Sequence, residues 1–324
     1  MPTKTQTYAQ TGAAYNALTA EQAEFYQRAL LERLIDQTVF MKYGKKTNIP
    51  KRAGATTSFR RMELPALSTT AIVEGTTPDA IDLSITKIAA TVKQYGAWTK
   101  LSDFLDLTGL DPVLTETAQM FGDHAALSMD VIVRDLLAAG TNVRYANSKT
   151  ARNQVAAGDK ITAADIIKIR TTLVKNNVKQ IKLPSGGKGY LAFTHPEVIA
   201  NIMQMQEWKD QNTYVDTKNR EQGIAGQMYG IYFMEATTAP VYAGTGAGTP
   251  PIDVYATIVI GEDAYGIPDI QGSSKPEIIV KNSAGDHSDT SNPMNLYSTV
   301  AWKSAFTAIR LNENCIVRYE SAIN

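Results

Sequence analysis

The sequence predicts an α+β fold. Helical and strand patterns interleave without the regular βαβ alternation of a doubly wound sheet, one long helical stripe stands alone near residue 125, and the last third reads almost wholly as strands. No internal repeat of fixed period appears, so a solenoid is excluded. At 324 residues and 35.3 kDa the chain has ample length for a buried core. Lysine plus arginine and aspartate plus glutamate each number 32, so the net charge is zero and the overall balance gives no sign of a strongly basic nucleic-acid binder. A single cysteine, Cys315, excludes an intrachain disulfide and any cysteine-based zinc site, and suits folding in a reducing compartment. The strongest apolar run, Val254 to Ile260, is of strand length, far short of a membrane-spanning helix. The first residues lack the basic-then-apolar pattern of a secretory signal.

Residues 1–18 are polar and show no sustained period, which predicts an extended arm. Thr19 then caps a helix to about Asp36, with Gln22 at its third position and an apolar stripe from Phe25, Leu30, Leu31, Leu34 and Ile35. Between Lys42 and Arg61 stand seven basic residues and no acid, the one local charge asymmetry of the chain.

Two strand-like arms follow, ATTSFRRMELPAL and IDLSITKIAATVKQYGAWTK, around a turn region with Gly75 and Pro78. In the second arm Leu83 and Ile85 have odd numbers whereas Ile88, Ala90 and Val92 have even ones, so the inward face is expected to change over near Lys87 through a bulge or a twist. An isolated two-stranded hairpin is only marginally stable in water. Something else must hold it.

Ser102 to Thr108 reads as a short helical piece, and Asp111-Pro112 as the cap and first position of a long helix. Leu114, Ala118, Phe121, Ala125, Ser128, Ile132, Leu136 and Ala139 recur at three- and four-residue steps up to Gly140, which gives about 28 residues and about 42 Å of helix. Downstream come a helix capped by Thr162, a strand GYLAFT, and a short helix opened by His195-Pro196. Residues 206–228 then read as a polar loop, followed by strands GIYFMEAT and VYATIVIG around a glycine-rich loop. The C-terminal run predicts long antiparallel strands with a turn at Leu311 to Asn314.

Catalytic and metal-binding patterns are weak throughout. The stretch LPSGGKGY lacks the spacing of a phosphate-binding loop and precedes a strand, so it reads as a tight turn. His124, His195 and His287 lie far apart, and Asp286 to Asp289 reads as a solvated loop and not a metal loop. Asp123 and Asp130 fall off the long helix's apolar stripe, which predicts a solvated or intersubunit position. Cys315 reads as buried packing, and Trp98, Trp208 and Trp302 form no stacking platform. No metal, no cofactor and no catalytic residue are expected.

The order of parts, with the runs LPALSTTAIVEGTTPD, FTHPEVIANI, GQMYGIYFMEATTAPVY, IVIGEDAYG and YSTVAWKSAFTAIRLNENCIVRYESA, resembles the major capsid proteins of tailed bacteriophages over nearly the whole chain. The resemblance implies the Johnson fold, shared with herpesvirus shell proteins and encapsulins. It assigns residues 1–48 to an N-terminal arm with its amphipathic helix, 49–101 to an extended E-loop, and 102–149 to a peripheral domain with a spine helix. Residues 150–268 become an axial domain and 269–324 strands returning to the peripheral domain. Gly226, Gly230, Gly261 and Gly266 fall in the matching runs as expected turn positions.

The function implied is that of a non-enzymatic subunit self-assembling as hexamers and pentamers into an icosahedral shell around double-stranded DNA, in the virion capsid and assembled in the host bacterial cytoplasm. Expected intersubunit contacts are Lys51, Arg52, Arg60, Arg61 and Glu74, with Phe25 and Leu31 of the arm. Expected partners are other copies, a separate scaffolding protein (the N-terminal arm being short), a portal, a possible decoration protein, and packaged DNA by nonspecific contact; no membrane is expected. An encapsulin-like compartment is the alternative. An α+β enzyme built on His195 with Asp263 or Asp269 is the remaining one.

Overall fold

The computed structural model describes residues 39–323 apart from 64, 66, 72–73, 76, 78, 105–112, 184–186, 213–222, 271–272, 282–291 and 293. The arm, its helix and the 286–289 loop lie outside the described residues.

Two sheets and a hairpin make up the β structure. β1 (Lys45–Ile49), β4 (Lys93–Ser102), β12 (Tyr265–Ile270), β13 (Glu277–Lys281), β14 (Tyr297–Phe306) and β15 (Ile309–Arg310) form a six-stranded sheet. β14 is its spine, hydrogen-bonded to β4 over its whole length from Tyr297↔Ser102 to Phe306↔Lys93, and to β13 on its other edge. Side chains of β14 alternate strictly between buried and half-buried, as a strand with one face on a core must.

An eight-stranded sheet runs in the order β5 (Val143–Tyr145), β16 (Ile316–Ser321), β11 (Val254–Ile260), β7 (Lys188–Thr194), β9 (Ile231–Glu235), β8 (Ile224–Met228). β6 (Ile181–Lys182) and β10 (Val241–Tyr242) join β7 and β11. Its central strands are buried on both faces, which is why GYLAFT and VYATIVI read as continuous apolar runs. The third unit is a two-stranded hairpin of β2 (Thr56–Met62) and β3 (Ile85–Thr91).

Among the described residues four α-helices support the sheets: α1 (Val113–Ala138), α2 (Ala163–Lys175), α3 (Pro196–Met203) and α4 (Gln206–Asn212). α1 serves both sheets. Its first half puts Leu114, Ala118, Phe121 and Ala125 against Leu101, Val300 and Trp302 of the six-stranded sheet, while Met129, Val133 and Leu137 enter the core shared with the eight-stranded one. The expected stripe is therefore right at its start and one residue out of step beyond Ala125. Ser128, Ile132 and Leu136 flank the buried line and are only half-buried, because the helix exchanges one sheet for the other there.

Several other expectations change. β2 and β3 pair without interruption from Thr56↔Thr91 to Met62↔Ile85, so no bulge exists at Lys87. The break falls at buried Val92, beyond which the strand leaves the hairpin and joins β14, and the inward face switches from even residues to Tyr95, Ala97, Thr99 and Leu101. β14 and β16 do not pair. The turn at Leu311 to Asn314 is a crossover, a 3₁₀ turn over Glu313–Cys315, that carries the chain from one sheet to the other. Part of the expected loop 206–228 is α4 and β8. Of the four glycines, Gly230 sits in a turn with positive φ, whereas Gly226 and Gly266 lie within strands. Gly261 follows β11, packed so closely that an added Cβ would strike Val178.

Asp130 is the largest departure. It is 1% exposed, not solvated: its carboxylate accepts the Phe40 N–H at 2.8 Å and the Thr238 hydroxyl at 2.8 Å. Tyr265 donates its hydroxyl to the Phe40 carbonyl, and the Phe40 ring lies 4.6 Å from that of Phe193. The chain entering from the N-terminal side is thus clasped on both backbone groups of one buried residue. Burial pushes the Asp130 carboxyl above the usual carboxylate range, against the lowering effect of these hydrogen bonds. Because its folded-state value lies above the unfolded one, the folded chain takes up the proton first. Asp130 therefore contributes more stability as pH falls through its raised value and does not drive acid unfolding. Asp130→Ala is expected to cost about 2–3 kcal/mol by leaving the Phe40 amide unpaired, and Asp130→Asn, which keeps an acceptor, under about 1 kcal/mol. Urea unfolding of the unassembled subunit at pH 7 and pH 5 checks both values and the loss of this pH response in the Asn variant.

Candidate intersubunit surface

The hairpin sorts its residues by strand parity. On the inward face lie Thr57, Phe59 and Arg61 with Thr86, Ile88 and Ala90; on the outward face lie Ser58, Arg60 and Met62 with Ile85, Lys87 and Ala89. The inward face rests on the subunit's own body. Phe59 lies over Gly266, where an added Cβ would meet the ring at 2.9 Å, and the Arg61 guanidinium donates to the Leu311 carbonyl and the Asn312 side chain at 3.4 Å. Arg61 also pairs with Glu63 at 3.2 Å, which holds the Glu63 carboxyl below its usual range together with the Thr86 hydroxyl. A cleft of about 480 Å³ remains between hairpin and body, lined by Phe59, Ile88, Val178, Leu311 and Cys315 among others. Burial raises the Cys315 thiol, which makes it inert packing at the rear of that cleft.

The outward face has no such cover. Arg60 stands directly opposite Lys87, a like-charge pair that is unfavourable in a lone hairpin. Lys51 and Arg52 are exposed in the turn that precedes the hairpin, where the Ala53 amide donates to the Pro50 carbonyl at 3.2 Å and Arg52 takes the left-handed φ of 65°. Between the two strands the described residues of 63–84 are almost all exposed. Leu67 is 77% and Leu83 75% exposed, with Ile81 and Met62 beside them in the same condition. Glu74 sits at the tip turn with Gly75 at φ 77°, and Asp79 and Asp82 are exposed nearby. The projection thus has a basic base and a tip that is apolar and acidic. Sequence reading found the charges but not their division between Arg60, facing out, and Arg61, facing in; the parity of β2 carries that signal. Phe25 and Leu31 lie outside the described residues.

The remaining candidates are placed elsewhere. His195 caps α3, its Nδ1 accepting the Glu197 amide at 3.3 Å and not donating to a backbone acceptor, and its ring lies 5.1 Å from that of Tyr255. Asp263 pairs with Lys45 at 3.0 Å and Asp269 accepts from Ser274 at 2.7 Å, so neither is engaged with His195. Trp302 donates its indole N–H to His124 at 3.1 Å. Trp98 lies exposed on β4, with Lys100 poised 5.3 Å from its ring and 4.2 Å from that of Tyr297. Among the described residues no group of three or more histidine, cysteine or acidic side chains could hold a metal ion, and no helix is long and apolar enough to cross a membrane.

A model of a phage capsid protein family matches residues 85–312, well over half of the chain. The chain belongs to that family. This phage capsid protein has no match among curated protein sequences. Its fold is that of solved shells: the capsid of Ralstonia phage GP4 (TM-score 0.68, 12% identity, 87% of each chain covered), the cyanophage Pam1 capsid asymmetric unit (0.63, 13%, 98% of this chain and 96% of that one) and Mycobacterium phage Che8 (0.57, 14%, 87% and 91%). Identities this low carry the fold alone. With the family match, the protein is a structural subunit of a capsid shell, its copies assemble with one another, and its place is the virion capsid. Nothing in these likenesses favours the encapsulin alternative.

The Phe59–Gly266 contact makes a local prediction. Phe59→Ala is expected to raise amide hydrogen exchange across 56–62 and 85–91 by at least about tenfold, equivalent to about 1.4 kcal/mol of local opening. Exchange in β7 and β11 is expected to stay unchanged.

Proposed function

We propose that this capsid protein builds an icosahedral shell of hexamers and pentamers around double-stranded DNA by laying its hairpin across a neighbouring subunit. One observation carries the reading. The described residues of the hairpin and its 63–84 tip present large apolar side chains and unbalanced charge to solvent, and among the described residues the cover from its own body lies on one face. Docking on a copy removes both costs at once, and many such contacts in a closed lattice multiply.

In this reading residues 1–48 are the arm, 49–101 the E-loop, and 102–149 carry the spine helix α1. The axial part is built on the eight-stranded sheet. The axial domain is 150–268 and the returning strands 269–324 in this reading; β12 lies in the six-stranded sheet with β14 and β15, and β16 in the eight-stranded sheet with β11 and β5. Lys51, Arg52 and Arg60, joined by Lys87, meet carboxylates of the adjacent subunit and set its register. Arg61 holds the hairpin to its own body, and Glu74 at the tip and Phe25 and Leu31 of the arm are further contacts.

Assembly takes place in the host bacterial cytoplasm with a separate scaffolding protein and a portal, a decoration protein can bind the finished shell, and packaged DNA touches it without sequence preference. The subunit performs no catalysis. A second reading gives the basic hairpin base to packaged DNA. Arg60→Glu with Lys87→Glu is expected to leave the subunit folded while reducing closed shells at least about tenfold at 50 mM salt. Electron microscopy of the assembly reaction reads this directly. Normal shells at low salt would refute the lattice role of this pair, and normal shells that package less DNA would transfer the pair to the second reading.

A further inference from the structure

A cavity of about 430 Å³ opens between β5, the 3₁₀ turn over Ala146–Ser148 that follows it, and the first turns of α2. Arg144, Lys149 and Lys168 stand on its wall against one carboxylate, Asp165, in a chain whose charges balance. That carboxylate is already engaged. Asp165 accepts the Thr162 hydroxyl at 2.6 Å and the Lys168 ammonium at 3.2 Å, and the Tyr319 hydroxyl lies beside it. Lys168 thereby has its counter-charge, and two positive charges remain. Among the described residues neither Arg144 nor Lys149 forms an ion pair, whereas Arg134, Arg152, Arg310 and Arg318 each meet a carboxylate.

The turn that carries Lys149 is held in a costly shape. Asn147 and Ser148 take left-handed φ values of 53° and 56° in succession, a region that residues with a side chain seldom enter. The Asn147 side-chain amide donates to Asp159 at 3.0 Å and the Lys149 N–H to the Ala146 carbonyl at 3.1 Å, and these bonds keep the turn in place. Backbone strain of this kind persists only where its surroundings fix it. Its result is that Ser148 and half-buried Lys149 share one wall with Arg144.

We propose that this cavity binds a phosphate group, with the Arg144 guanidinium and the Lys149 ammonium as its counter-charges and the Ser148 hydroxyl as a further donor. A guanidinium presents paired N–H donors that match two phosphate oxygens, and an ammonium adds a compact point charge. A carboxylate would balance only one of the two cations; a phosphate near its dianionic form balances both. A concave wall of one sign also concentrates anions before they bind. The volume exceeds that of a lone phosphate, so the group can arrive as the free ion or on a nucleic-acid strand.

Calorimetry of the unassembled subunit with inorganic phosphate tests this. One site with a Kd of about 1 mM or tighter is expected at low salt, and Arg144→Gln with Lys149→Gln is expected to weaken it at least about tenfold. In the parent protein, phosphate is expected to shift the amide resonances of residues 142–150 and 165–169. A short single-stranded oligonucleotide separates the two sources. Binding that phosphate displaces, and that the double variant loses, assigns the group to nucleic acid; phosphate binding with no such oligonucleotide binding assigns it to the free ion. No phosphate binding by the parent protein up to about 10 mM, resonance shifts confined to other residues, or equal affinity in a double variant with an unchanged urea midpoint would overturn the proposal. Arg60→Glu with Lys87→Glu is expected to bind phosphate here as the parent does, so failure at this cavity leaves the proposed lattice contact standing.

Discussion

One helix packs beneath two sheets, and the shape of the subunit follows from that constraint. α1 gives its first half to Val300 and Trp302 and its second to the core around Phe193 and Val317, so a rigid 26-residue rod sets the distance between the sheets. Ala118, Ala125 and Ala126 keep the first contact close, whereas Met129, Val133 and Leu137 fill the wider space of the second. The crossover at Leu311 to Asn314 and the clasp on Phe40 join the same two regions at other points. Arg152 adds a tie within the eight-stranded sheet, pairing bidentately with the fully buried Glu320 at 2.7 and 2.8 Å and lying 3.3 Å over the Tyr242 ring.

A body so closed contrasts with the hairpin that projects from it. Two strands make a sheet with two faces, and a subunit standing alone can cover only one. The cover described includes the Phe59 ring over a strand glycine, the Arg61 guanidinium on the Leu311 carbonyl and Asn312 side chain, and buried Ala90, with a cleft beside them.

Much of the architecture was legible in the sequence because it rests on local chemistry. Thr162 caps α2 by accepting the Asp165 amide, and Pro196 opens α3. GYLAFT and VYATIVI declared buried strands by unbroken apolar character. What escaped reading was set by partners distant in the chain. Asp130 looks solvated on a helical wheel but meets residue 40 and Thr238, both distant in the chain; Val92 ends one sheet and begins another without any turn residue to mark the change. β14 and β16 are each good strands around a good turn, and nothing local reveals that they belong to different sheets. At the surface, charge was legible and direction was not: four basic residues near the hairpin base were visible, but β2 parity turns Arg61 inward to Leu311 while Arg60 faces out.

That division bears on why Arg60 faces Lys87 at all. Two cations opposite one another on a ladder cost the isolated hairpin about 0.2–1 kcal/mol, and the Arg52 backbone in the left-handed region adds a cost of about 1–2 kcal/mol. Among the described residues the nearby acids Glu63 and Asp263 are paired with Arg61 and Lys45. In the proposed contact a carboxylate brought by a neighbour would meet two cations and change the sign of the first cost, whereas Arg61 also has partners on its own chain. The like-charge pair therefore weakens the hairpin of the subunit alone, and it is the term that the proposed contact with a neighbour would reverse.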